Sequence, residues 1–237
     1  MTPTPIAEPM DTSSSNPKEV SVPPAETPSR PANDTSILSD QSKSPLSTDL
    51  DIVERVQQLG SYKGSTKCSI RLTKFGYIFR GKKAFLSNMF PCKLCFKVRG
   101  SLMTFSSSEQ CYQYLKAIHN KNYNIADGIL QSADPFNTKS LGDSVQKDPA
   151  VKWDNLDKSI LKKVAYEKFA QYPKLMVDLL RTHPEQLIEG TKDIRWGGGH
   201  EYSSKEYNVG NITGENLFGK ILVDLRNEYR TEYDLDI

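Results

Sequence analysis

The chain has 237 residues, 37% of them hydrophobic and 25% charged, with a formal net charge of +2 at pH 7. That length holds one ordinary globular domain plus an appendage. No run approaches the ~20 apolar residues that span a bilayer as a helix, and the N-terminus lacks the basic-then-apolar layout of a secretory signal, so the sequence predicts an intracellular protein, cytoplasmic or nuclear, with no membrane partner.

Residues 1 to 61 contain no aromatic side chain and hold nine of the 14 prolines. Such a Ser/Thr/Pro-rich stretch buries too little apolar surface to offset chain entropy. It predicts a disordered tail over residues 1–66 ahead of a single domain over residues 67–237. Charge divides at the same boundary, with five Lys/Arg against nine Asp/Glu in the tail and 26 against 20 in the remainder. The basic excess of the domain suits a phosphate-bearing ligand or nucleic acid, and equally suits plain solubility.

From Phe75 a short β-like run leads to a Gly-Lys-Lys turn and an apolar segment ended by Pro91. A strand pair is expected across Cys92 to Phe105, turning at Arg99-Gly100-Ser101. Its first half alternates, placing Cys92, Leu94, Phe96 and Val98 on one face and Cys95 on the other. The two sulfurs of this C-x-x-C therefore diverge, and Cys68 and Cys111 supply no second pair, so the thiols read as structural and no metal is expected.

Helices are expected over Ser107–His119, Tyr123–Gln131, Thr138 to about Val145, and Asp154–Gln171. The last of these carries Leu156, Ile160, Val164 and Phe169 near one stripe, with Lys168 mostly off it. Pro173 opens another helix, to about Arg181, and a final one runs from Glu215 to about Tyr229. Helices outnumber strands, which gives an α+β fold: a compact, mainly helical domain around a small sheet.

The helix from Ser107 places Glu109, Gln113 and Lys116 at i, i+4 and i+7, hence on one face. A carboxylate and an amine on one stripe can do acid/base and nucleophilic work. The same spacing has a structural reading, because Ser106-x-x-Glu109 fits a capping box that would spend the glutamate on the helix start. Trp153 and Trp196, the only two tryptophans, sit at element boundaries. Trp196 is followed by Gly197, Gly198 and Gly199, where backbone can approach a ligand and an indole can stack on a base or sugar. His200 after this turn is a further candidate proton carrier. His119 and His183 read as a helix-end and a loop histidine.

Taken together, several segments resemble the NADAR or YbiA-like N-glycosidases. They are FLSN at Phe85–Asn88, SSEQCYQYLKA at Ser107–Ala117, Lys139 with Leu141-Gly142, VKW at Val151–Trp153, KFAQYPKLMVDLLRT at Lys168–Thr182, the WGGG turn, and GENLFGKILVDLR at Gly214–Arg226. The resemblance implies hydrolysis of a ribose–nitrogen bond without a cofactor. The implied substrates are ADP-ribose on guanine in nucleic acid or phosphorylated ribosyl-amine intermediates of riboflavin biosynthesis. It puts the family glutamate on Glu109 and the helix lysine on Lys116 as catalytic residues. Asn88, Trp153, Trp196 and Asn216 carry the family's other positions, and with Gln113, Gly197 and Gly199 they make the expected substrate-binding set.

One departure stands out, since some members have an aspartate where this chain has Gly198, a role that would pass here to Glu201 or lapse. Cleaving an N-glycosidic bond needs a carboxylate near the sugar and a proton for the leaving nitrogen, and Glu109 suits either role. Lys116 offers a Schiff-base route through the opened sugar. The rival expectation is a non-catalytic reader that keeps an ADP-ribose or nucleotide pocket, and a third is a domain that docks partners through its tail.

Overall fold

The structure, a computed structural model, describes residues 49–235. In chain order these form α1 (Asp49–Leu59), β1 (Ile70–Thr73), β2 (Gly76–Phe79), β3 (Pro91–Val98), β4 (Ser101–Ser107), α2 (Ser108–His119) and α3 (Tyr123–Gln131). There follow α4 (Pro135–Asp143), α5 (Trp153–Gln171), α6 (Pro173–Leu180), β5 (Leu187–Glu189) and α7 (Leu217–Glu232). The fold is α+β.

β2 is the central strand of a three-stranded sheet ordered β1-β2-β5, antiparallel to β1 and parallel to β5. All four of its residues are buried, as expected of a strand covered on both faces. Tyr77 and Phe79 enter a large core with α5, α6 and α7, while Ile78 meets Ile188 and Tyr207 on the other face. The register sets Phe79 opposite Glu189, which fixes where β5 ends.

β3 and β4 form a separate antiparallel hairpin. Its two turn residues, Arg99 and Gly100, both have positive φ, the geometry that follows the natural twist of a two-residue hairpin. The alternation read from the sequence holds, with Cys92, Leu94, Phe96 and Val98 buried and Cys95 on the more exposed face. That inner face builds a second core with Cys111, Leu115 and Ile118 of α2, and with α3. The helix α2 lies between the two cores, because Tyr112 points into the first and Leu115 and Ile118 into the second.

Four expectations change. The tail boundary at residue 66 falls too late, because α1 packs Ile52 and Val56 against the large core and Arg181 donates to the carbonyl of Gly60; residues 1–48 lie outside the described residues. A length of only 11 residues beside a Ser/Thr/Pro-rich stretch gave α1 a weak signal. Secondly, α4 starts at Pro135, with the Asp134 carboxylate accepting from Phe136 N–H at 3.1 Å, so the proline opens the helix rather than preceding it. Thirdly, Leu156 is exposed and Lys168 is buried. Lys168 Nζ donates to the carbonyls of Phe85 and of Ser87, the latter at 2.9 Å, and so ties α5 to the FLSN loop. Lastly, α7 begins at Leu217, later than expected, behind Asn216 in the left-handed region at φ 52°.

Candidate active site

The cap of α2 decides what Glu109 is free to do. Ser107 is the capping residue, its hydroxyl accepting from Gln110 N–H at 3.1 Å. The Gln110 side chain turns back to accept from Ser106 N–H at 2.7 Å. The box thus closes one residue later than the Ser106–Glu109 spacing suggests, and Glu109 keeps its carboxylate out of it. The Glu109 N–H donates to the Asn88 carbonyl at 2.9 Å, which binds the FLSN loop to the first turn.

With two faces of α2 spent on the cores, Glu109, Gln113 and Lys116 occupy a third, and this face lines a cavity of about 210 Å³. The walls come from distant parts of the chain. Asn88 ends the FLSN loop and Met89 follows it, Lys139 and Asp143 belong to α4, and Glu189 ends β5. Thr191, Asp193 and Trp196 come from the loop beyond it, and Tyr112, Leu161 and Phe218 supply apolar surface.

Inside, Gln113 Nε2 donates to Glu109 Oε1 at 2.8 Å, and Lys116 Nζ to the Gly142 carbonyl at 2.8 Å. Lys139 Nζ pairs with Asp143 at 3.0 Å. Gly142 allows α4 to approach this closely, since a Cβ there would lie 2.0 Å from Gln113 Oε1. Trp196 is half-buried, edge-on to Tyr112 with ring centroids 6.3 Å apart. The Arg195 guanidinium lies 4.8 Å from the indole centroid and is held by the buried Asp157.

The cavity holds four carboxylates against two lysines. Burial raises the pKa of Glu109, an effect opposed by the Gln113 hydrogen bond and by Lys139 and Lys116, while Asp143 adds to it. Burial, then Glu109 and Asp193, push Glu189 up to about 8, against Lys139 and Arg80. Burial lowers the pKa of Lys116. Burial also works against the charge on Lys139, yet the Asp143 pairing leaves its pKa raised.

Three acceptors on this wall, Asn88 Oδ1, Gln113 Oε1 and Thr191 Oγ1, are buried without a hydrogen-bond donor among the described residues. Each costs about 1–3 kcal/mol when left unpaired.

Other residues singled out from the sequence stand behind the wall. Trp153 is fully buried, its ring 5.9 Å from that of Tyr112 and 5.8 Å from His119, so it backs the cavity through Tyr112. Asn216 holds β5: its Oδ1 accepts from Glu189 N–H at 3.0 Å and its Nδ2 donates to the Leu187 carbonyl at 2.8 Å. Gly197 and Gly199 serve packing, since a Cβ at either would fall about 2 Å from the hydroxyl of Thr191 or of Thr213. Position 198 faces the Tyr207 hydroxyl, 2.7 Å from where a Cβ would stand, and not the cavity lining. Glu201 pairs with Arg80 and Lys192, and His200 contacts Thr213 and Tyr207.

Sequence reasoning missed Glu189 as a wall residue, together with Asp143, Asp193 and Tyr112. For Glu189 the available signal was QLIEG, a β-like run that ends in a buried acid.

The NADAR domain family model matches residues 77–230. The chain belongs to the NADAR family. It is 31% identical over 137 residues to the Caenorhabditis elegans protein irg-1, a match covering 56% of this chain and 65% of that one. It is 28% identical over 127 residues to an N-glycosidase of Nostoc punctiforme, covering 53% and 75% of the two chains. A riboflavin biosynthesis protein of Vibrio vulnificus is 28% identical over 145 residues, which is 61% of this chain but 35% of that larger protein. The E. coli protein YbiA, solved by NMR, shares the NADAR fold with a TM-score of 0.53 at 24% identity, over 71% of this chain and 92% of its own.

Proposed function

We propose that this NADAR protein is an N-glycosidase that hydrolyses a ribose–nitrogen bond, with ADP-ribose on guanine in nucleic acid as its substrate ahead of a phosphorylated ribosyl-amine. The observation that carries the reading is the buried Glu109 carboxylate, hydrogen-bonded to Gln113 and facing the same small cavity as Lys116, Lys139 and Trp196. Breaking the bond develops positive charge at ribose C1, and a cavity whose acids outnumber its lysines favours that charge. In water-poor surroundings such preorganised charge acts more strongly than in solvent.

The size of the cavity argues in the same direction. At about 210 Å³ it lies below the ~300–1,000 Å³ that encloses a drug-sized ligand, so it takes a sugar ring and leaves the rest of a nucleotide outside. Both cavity lysines are engaged, Lys139 by Asp143 and Lys116 by a carbonyl, so phosphate is held beyond the cavity. The half-buried indole of Trp196 then stacks on the base or sugar near the opening. The names of the Nostoc N-glycosidase and the Vibrio riboflavin biosynthesis protein support a glycosidase-type role.

In this reading Glu109 activates the attacking water. Lys116 offers a second route, since burial lowers its pKa and so makes a free amine more accessible for Schiff-base formation with an opened sugar.

The test is a substrate panel. Purified protein is incubated with an oligonucleotide carrying ADP-ribosylated guanine and, separately, with phosphorylated ribosyl-amines, and free ADP-ribose or ribose 5-phosphate is followed by mass spectrometry. Release from the oligonucleotide supports the preferred substrate, and release only from the small molecules moves the activity to them. Binding of ADP-ribose without release from either identifies a reader and contradicts the proposal. Borohydride reduction during turnover traps a covalent adduct on wild type and none on Lys116→Met if the Schiff-base route operates.

A further inference from the structure

A second carboxylate in the cavity has no structural employment. Glu189 ends β5, lines the cavity with Glu109, and receives no hydrogen bond or ion pair on its side chain among the described residues. Its backbone is nevertheless held firmly. The Glu189 N–H donates to Asn216 Oδ1 at 3.0 Å, its carbonyl accepts from Gly198 N–H at 2.8 Å, and its strand is registered against Phe79 of β2. A fixed main chain presenting an unpaired acid to a polar cavity suits a group that exchanges a proton.

We propose that Glu189 is the proton donor to the departing nitrogen, working opposite Glu109, which stays ionised and takes the proton of the attacking water. This assignment rests on the N-glycosidase reading above.

The two environments divide the roles. Glu109 accepts the Gln113 amide at 2.8 Å and sits in the first turn of α2, both of which favour a carboxylate. Glu189 lacks such a donor and faces the carboxylates of Glu109 from α2 and Asp193 from the following loop. The cations near it are Lys139 of α4, already paired with Asp143, Lys116 of α2, and Arg80 beyond β2, paired with Glu201. Tyr207 approaches from the other side of β5. The balance raises Glu189 to about 8, so it holds its proton at neutral pH. Burial raises both acids, and the amide donor and helix start that Glu109 alone has are what separate the two roles.

The step balances with one water. As the C1–N bond breaks, its electron pair stays on nitrogen, which takes the Glu189 proton. Water adds to C1 and gives a proton to Glu109. Transfer of that proton back to Glu189 restores both groups.

The decisive experiment is the pH dependence of kcat and KM for ADP-ribose release from the ADP-ribosylated oligonucleotide, using wild type, Glu189→Gln and Glu109→Gln, with folding of each checked by circular dichroism. Wild type is expected to lose activity on an alkaline limb near pH 8. Glu189→Gln should lower kcat at pH 7 by about 10²–10⁴-fold, abolish that limb, and leave KM within about tenfold. Glu189→Asp, which restores a shorter acid, should recover part of kcat together with the limb. A Glu189→Gln enzyme that keeps wild-type kcat, or keeps the alkaline limb, overturns the assignment, as does one whose only change is a raised KM. If wild type itself releases no ADP-ribose at any pH, the glycosidase reading on this substrate fails first and the acid assignment falls with it, an outcome separate from a failure of Glu189 alone.

Discussion

At the scale of single residues, Glu109 and Glu189 differ in how legible they were. Glu109 announced itself through helical spacing with Gln113 and Lys116, and only the one-residue shift of the cap to Ser107 was hidden, because three consecutive cap-compatible serines run from Ser106 to Ser108. Glu189 was not legible. It lies on a strand of three residues, too short for any periodicity, and its place depends on pairing with β2 more than a hundred residues earlier.

The raised pKa of Glu189 makes a stability prediction that does not depend on substrate. The folded state keeps the proton up to about pH 8, whereas the unfolded glutamate loses it near its ordinary value. The folded chain therefore binds more protons between these limits, and this group's contribution falls as pH rises from about 4.5 to about 8. Urea unfolding of Glu189→Gln is expected to show greater stability than wild type at pH 8 and a flatter dependence between pH 5 and 8. Parallel curves for the two proteins would contradict a protonated Glu189.

At the scale of elements, the helices from α2 onward were placed within a few residues by their periodicity and the hairpin by its alternation, whereas α1 fell inside the expected tail. What failed was the assignment of buried polar side chains. Lys168 has the spacing of a surface lysine and is spent on two carbonyls of the FLSN loop. Asn216 and the glycines of the WGGG turn stand in motifs that suggest ligand contact, yet they join β5 to α7. The backbone shows the same joint, with Phe218 N–H bonding the Trp196 carbonyl at 3.1 Å and Asn216 N–H that of Gly197 at 3.0 Å.

Two substitutions probe these joints. Asn216→Ala removes both partners of the β5 backbone and puts alanine at positive φ, and should cost about 2–4 kcal/mol in urea unfolding. Because Glu189 shifts with β5, turnover should fall as well. Gly142→Ala drives a Cβ into Gln113 and should cost about 1–3 kcal/mol. Activity should drop together with the Gln113 bond to Glu109. Wild-type stability in either variant would show that the joint is looser than its geometry.

At the scale of the whole molecule, the NADAR match begins at residue 77, whereas the fold begins earlier. α1 lies outside that match and still closes the large core through Ile52 and Val56, while Tyr62 N–H bonds the Arg181 carbonyl at 2.9 Å. A chain starting after Gly60 should be less stable than one starting at Asp49 by about 2–4 kcal/mol, the worth of one buried isoleucine and part of a valine. Equal melting temperatures for the two would make α1 an ornament.

The molecule as a whole brings a first-turn glutamate, an α4 ion pair and the end of β5 to one sugar-sized cavity, and the central claim is that this cavity cleaves a ribose–nitrogen bond through Glu109. The measurement that tests it most directly compares wild type and Glu109→Gln on ADP-ribosylated guanine, following both release of ADP-ribose and binding of the substrate. Release is expected from wild type and is expected to fall at least about 10²-fold in the variant, with affinity kept within about tenfold, or ~1.4 kcal/mol. Undiminished release by Glu109→Gln would contradict it.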